Sequence, residues 1–149
     1  MDGGPIAVVR ALYDAYNRRN WAAALPCIAD GCEWQNMATG WTYRSGAEVV
    51  AGMQRFTTAF PDLRVELTNV IRQGDALAFE WRGQGTLQQP LHRPEGWYAP
   101  TGRSFTQYGC CVAEVRDSRI VRCRDYFDGE SLRHQLGLSA PRPAPPAVG

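Results

Sequence analysis

The spacing of apolar positions changes period once along this chain, and the change divides it in two. In the first part the repeat is helical. Ile6, Val9, Tyr13 and Tyr16 recur at alternating spacings of three and four over residues 5–20, which predicts an amphipathic helix whose first turn suits Pro5. Residues 21–29 read as a second, short helix that Pro26 shortens or kinks. Asp30-Gly31 reads as a turn, residues 32–37 as a strand with Cys32, Trp34 and Asn36 on one face, and residues 38–44 as a loop or short strand. Ser45 is placed to cap a third helix running to about residue 60, with Val49, Met53, Phe56 and Phe60 as its apolar stripe and Pro61 as its stop.

Beyond Pro61 the period is two. Leu63, Val65 and Leu67 alternate with Arg64, Glu66 and Thr68; after a Gly74-Asp75 hairpin turn, Leu77, Phe79 and Trp81 alternate with Ala78, Glu80 and Arg82. Gly83 and Gly85 thin this strand, which implies a bend or the close approach of something bulky. Residues 88–102 form a Pro- and Gly-rich loop around Trp97-Tyr98, expected to be either a pocket lid or a merely mobile loop. Residues 103–115 place Phe105, Gln107, Gly109, Cys111 and Ala113 on one strand face. After Asp117-Ser118 the last strand puts Val121, Cys123, Asp125 and Phe127 on one face and Ile120, Arg122, Arg124 and Tyr126 on the other. Asp128 or Ser131 then caps a short helix that Gly137 ends. Helices followed by a meander of long strands imply an α+β domain: a curved antiparallel sheet wrapped over about three N-terminal helices, a deep pocket between them, and a short C-terminal helix.

Composition narrows the function classes. A chain of 149 residues, 44% hydrophobic and 21% charged, supports one core. The domain is expected over residues 1–138, followed by a Pro-rich disordered tail over residues 139–149. The net charge of +1, without a basic run, argues against a nucleic-acid partner. Neither a signal peptide nor a membrane span is expected. Five cysteines without CxxC spacing suit small buried thiols in a reducing compartment, hence a cytoplasmic protein. His92 and His134 sit in unrelated contexts, so no metal pair is expected.

The candidate chemistry centres on Asp125. A carboxylate among Val121, Cys123 and Phe127 is costly to ionise, so its pKa should rise toward the range of acid–base work; the alternative is a carboxylate tied to backbone amides near a strand end. Tyr13 and Tyr16 from the first helix, Met53 and Phe56 from the third, and Trp34, Asn36, Trp81, Gln107 and Phe127 from inner strand faces converge on it. Together they make an aromatic box with a few polar groups and one acid, suited to flat, hydrophobic or polycyclic small molecules. The competing account is that these aromatics simply fill the core. Glu80, Arg82, Tyr108, Arg122, Arg124 and Tyr126 point outward, as cross-strand pairs or a dimer face.

Trp34-Gln35-Asn36-Met37, Pro100-Thr101-Gly102-Arg103, the run from Arg124 to Asp128 and Gln135-Leu136-Gly137-Leu138 resemble landmarks of the SnoaL-like polyketide cyclases, a group within the NTF2-like superfamily of cone-shaped domains. The resemblance spans roughly residues 6–138. It implies that Asp125 acts as general acid or base, without cofactor, in a cyclase or isomerase of secondary metabolism that dimerises through its outer sheet face. It also brings in the limonene-epoxide-hydrolase type, in which the positions of Trp34 and Asn36 help hold a water. There Asn36 matches an asparagine, whereas Trp81 and Gly83 stand where those enzymes carry an Arg and a second Asp. Ketosteroid isomerases carry their proton-shuttling Asp where Asn36 stands. Inward histidines common in SnoaL-type cyclases are replaced by Gly109 and Cys123, while Gln107 matches an inward polar residue. On this reading Asp125 removes or returns a proton, Tyr13, Tyr16 or Gln107 stabilises an enolate oxygen, and Asn36 orients Asp125 or a water. Ring closure by substrate shaping, epoxide opening, and non-catalytic binding stay open as alternatives.

Overall fold

The structure, a computed structural model, describes residues 4–143. Helix α1 (Pro5–Asn17) starts with proline in its first turn and buries Val9, Leu12, Tyr13 and Tyr16 on one stripe. Its polar C-terminal end is a clamp. Asn17 donates to the Val65 carbonyl at 2.7 Å and accepts from the Val65 amide at 2.9 Å, and Arg19 donates to the carbonyls of Pro61 and Leu63, both at 2.9 Å. Helix α2 (Trp21–Ala24) is capped by Asn20, and a 3-10 turn over Leu25–Cys27 carries Pro26. The second helix is thus shorter than residues 21–29, because proline and the strand that follows end it.

That strand, β1 (Ile28–Asn36), runs through Asp30-Gly31, where a turn was expected. The chain is irregular there: the pairing partner jumps between Ile28 and Glu33. The extra residues form a bulge that lets Cys32 and Trp34 face inward. After β2 (Thr42–Tyr43), helix α3 (Gly46–Ala59) begins with the Ser45 hydroxyl accepting from the Glu48 amide at 3.1 Å, and buries Val49, Val50 and Met53. Strands β3 (Arg64–Gln73) and β4 (Ala76–Thr86) form the hairpin expected around Gly74. Residues 88–102, read as a loop, contain a small hairpin of β5 (Leu91–Arg93) and β6 (Gly96–Tyr98). Strands β7 (Ser104–Arg116) and β8 (Arg119–Phe127) follow, then α4 (Gly129–Leu136), capped by Asp128 and ended by Gly137 at φ 67°.

The main sheet has the order β2-β1-β8-β7-β4-β3. It is antiparallel except where β1 runs parallel to β8, a departure from the wholly antiparallel sheet expected. Its concave face packs on α1 and α3 around Leu12, Phe60, Leu77, Phe79 and Ile120, all at most 2% exposed. Ile120 was assigned to the outer face; a bulge at the start of β8, where Val115 pairs with Ile120 but Glu114 pairs with Arg122, turns it inward. From Cys123 onward the expected alternation places Asp125 on the concave face. The outer face leaves Tyr108 at 66%, Val112 at 44% and Tyr126 at 43% exposure, beside an Arg82–Glu66 ion pair of 3.0 Å. Of the tail expected to be disordered, residues 144–149 lie outside the described residues. Arg142, in contrast to that expectation, exchanges backbone hydrogen bonds with Trp97 at 2.8 and 3.1 Å.

Trp81 and Gly109 face each other across β4 and β7, and the indole lies where a Gly109 side chain would be. A Cβ there would collide with the indole and come within 2.8 Å of the Tyr126 carbonyl. Gly109→Ala should therefore destabilise the fold by about 1–3 kcal/mol, seen as a lower urea midpoint; an unchanged midpoint would show the indole free to move.

Candidate active site

Between the concave sheet and α1 and α3 lies a cavity of about 150 Å³, partly open to solvent. Tyr13, Tyr16, Trp34, Asn36, Met53, Phe56, Trp81, Gln107, Asp125 and Phe127 all line it. Asp125 is the one carboxylate in that lining. It sits near the C-terminal end of β8, paired with Cys111 on one side and Asn36 on the other. The Trp81 indole N–H donates to Asp125 Oδ1 at 2.9 Å, and the Cys111 thiol donates to the same oxygen at 3.4 Å. Among the described residues only Trp97 Nε1 and Arg122 Nε are fully buried side-chain polar atoms without a partner. Among the described residues no hydrogen bond reaches Asp125 Oδ2, and the residue lines the cavity.

Enclosure dominates the electrostatics here. Desolvation lifts the Asp125 pKa from its ordinary 3.8 to about 6, against the opposing pull of the Trp81 and Cys111 hydrogen bonds. The same burial raises the thiol of Cys111 well above its ordinary value, so it stays a neutral donor. It also raises the phenols of Tyr13 and Tyr16, with the negative charge of Asp125 adding to the effect. Tyr13, whose hydroxyl lies 4.0 Å from Cys111 Sγ, remains a proton-bearing phenol beside the acid.

The polar groups expected to assist Asp125 are more committed than their positions suggested. Asn36 does not orient the carboxylate: its Oδ1 accepts from the amides of Ala38 and Thr39, both at 3.1 Å, and so shapes the turn after β1. Among the described residues its Nδ2 makes no hydrogen bond. Gln107 donates to the Asp128 carbonyl at 3.1 Å and accepts from Gln135 at 3.4 Å, bracing the start of α4. Trp97 and Tyr98 are not lid contacts. The Tyr98 hydroxyl donates to Glu95 at 2.8 Å and accepts from Arg133 at 2.7 Å, and Trp97 carries Arg142 over its ring at 4.8 Å.

Leu91, His92 and Arg93 of β5 line the cavity instead, as do Trp41, Tyr43 and Arg55. Pro94-Glu95-Gly96, just before the aromatic pair Trp97-Tyr98, was the overlooked turn signal for that hairpin. Tyr43 could have been found only by placing the two-residue β2. Among the described residues no group of three or more His, Cys, Asp or Glu is arranged to hold a metal ion, and no helix is long and apolar enough to cross a membrane.

A model of the SnoaL-like polyketide cyclases matches residues 6–136. The chain belongs to the SnoaL-like polyketide cyclase family. Solved structures place its fold among the NTF2-like domains. An NTF2-like protein of Burkholderia thailandensis is 26% identical with a TM-score of 0.75, covering 91% of this chain and 98% of its own. IdmH of Streptomyces antibioticus, named as a candidate polyketide cyclase, is 24% identical with a TM-score of 0.72, over 89% and 98%. An epoxide hydrolase of M. tuberculosis of the LEH-like type is 20% identical with a TM-score of 0.70, over 89% and 88%. No curated protein matches the chain. Within this SnoaL-like fold, the acid on β8 lines the cavity with one oxygen held by Trp81 and Cys111.

The raised pKa carries a sign for stability. Between about pH 4 and 6 the folded protein holds a proton that the unfolded chain, at 3.8, has released, so Asp125 costs stability as pH rises through that window. Above it the cost is at most about 3 kcal/mol, less any screening through the cavity mouth. Asp125→Asn, neutral throughout, should be more stable than wild type at pH 7.5 and equal to it near pH 4, as read by paired urea titrations. Equal stability at both pH values would mean that the carboxylate is not desolvated.

Proposed function

We propose that this SnoaL-like protein is a cofactor-independent cyclase or isomerase acting on a polyketide-like small molecule of secondary metabolism, with Asp125 as its general acid and base. The observation that carries the reading is a carboxylate in an aromatic-walled cavity whose pKa lies near 6 and whose Oδ2 accepts no hydrogen bond among the described residues. An acid poised there is substantially ionised at neutral pH and still basic enough to accept a proton next to a carbonyl. Oδ2 takes that proton. The indole of Trp81 and the thiol of Cys111, both on Oδ1, keep the carboxyl plane fixed while the charge changes. Tyr13 or Tyr16, held as neutral phenols, donates to the developing enolate oxygen, and Asn36 Nδ2 supplies a second donor. Gln107 contributes shape more than catalysis, because its amide is already bonded. Phe127, whose ring meets the Trp81 indole at 5.8 Å and 66°, holds the indole in place.

Epoxide opening of the limonene-epoxide-hydrolase kind is less well supported, since the flanking positions hold Trp81 and Gly83 and the Asn36 Oδ1 is spent on backbone. We also read the outer face around Tyr108, Val112 and Tyr126 as the surface through which two copies would pair.

Proton abstraction can be tested without the natural substrate. The protein should accelerate exchange of the α-hydrogens of 2-tetralone for solvent deuterium, followed by proton NMR. The rate should climb with pH through an apparent pKa near 6 and fall by about 10²- to 10⁴-fold in Asp125→Asn. Exchange that survives that substitution would remove Asp125 from the chemistry, and turnover would then rest on how the walls fold the substrate.

A further inference from the structure

One charged group of the cavity is left unused by the acid–base chemistry. Arg93, from the β5–β6 hairpin, reaches into the lining, half-buried, with its guanidinium carbon 5.5 Å from the centroid of the Phe56 ring. That stacking is its one ring contact, and the Glu95 carboxylate attracts it through space; among the described residues no hydrogen bond or ion pair engages the guanidinium. The acid nearest in sequence, Glu95, is already bonded to the Tyr98 hydroxyl. Asp125 is held by Trp81 and Cys111 and not by an arginine. A second guanidinium, Arg55 of α3, is exposed beside the same opening, 5.2 Å from the Trp41 ring and 6.0 Å from that of Tyr43. Thus the cavity carries its one carboxylate on the sheet and arginines on the hairpin and on α3.

An unpaired guanidinium that has lost part of its water gains most from an anion, and its planar fork matches a carboxylate. The dimensions agree. A space of about 150 Å³ holds roughly one benzene-sized ring, so a larger substrate extends out past the residues of the opening. We infer that Arg93, supported by Arg55, is a carboxylate subsite: the substrate is an acid, bound with its ring toward Asp125 and its carboxylate on Arg93. This deepens the proposed function and rests on the same cavity being the reaction site.

The test compares trans-cinnamate with trans-cinnamamide, equal in shape and different in charge, titrated into the full chain by calorimetry at neutral pH. Cinnamate should bind about 10- to 100-fold more tightly than the amide, in line with a charge-assisted hydrogen bond, and added salt should erode the difference. Arg93→Gln should bring the two ligands to near parity, while Arg93→Lys, which keeps the charge, should retain part of the preference. Equal binding of acid and amide by wild type, no binding of cinnamate at millimolar concentration, or a preference that persists in Arg93→Gln would each overturn the inference. Asp125→Asn separates the two proposals: it should abolish tetralone exchange and leave the preference for the acid intact.

Discussion

The cavity depends on the hydrogen bond from the Trp81 indole to Asp125 Oδ1. A carboxylate placed on the apolar inner face of a sheet would ordinarily be protonated or paired with a cation. Here it is neither. An indole and a thiol, both uncharged, stabilise the anion just enough to leave its pKa near 6 instead of higher still. Uncharged donors matter because a guanidinium in their place would drive the pKa down and remove the basicity. The indole reaches the acid because Gly109 vacates the sheet beneath it. One glycine, one tryptophan and one aspartate on three neighbouring strands therefore form a single unit.

The surrounding fold serves that unit. The parallel pairing of β1 with β8 brings the end of β1 beside Asp125, where the Met37 amide donates to the Asp125 carbonyl at 2.8 Å and fixes the backbone that carries the acid. The Asn17 clamp on Val65 and the Arg19 bonds to the α3–β3 corner hold α1 against the sheet, so Tyr13 and Tyr16 stay over the cavity. The price is a carboxylate that weakens the fold at neutral pH, which the extensive apolar core tolerates.

Much of this was legible in the residue pattern. Strand alternation alone placed Asp125, Phe127 and Trp81 on one face, helical spacing placed Tyr13 and Tyr16 opposite, and every residue proposed for the pocket lines it. What alternation cannot show is where it is interrupted. The bulges near Asp30 and Val121 shift the phase, which hid the inward Ile120 and the extension of β1 through Gly31. Nor does a position reveal whether a polar side chain is already engaged: Asn36 and Gln107 face the cavity, yet both are tied to backbone a few residues or a helix away. Arg93 was invisible because its hairpin is only three residues a side and its context looked like loop.

The most direct measurement is the carboxyl carbon-13 titration of Asp125, assigned by its loss in Asp125→Asn. A single inflection at about pH 6 is expected. An inflection at or below the ordinary aspartate value, near 3.8, would show a solvated or cation-paired carboxylate and remove the basis for Asp125 as a base at neutral pH.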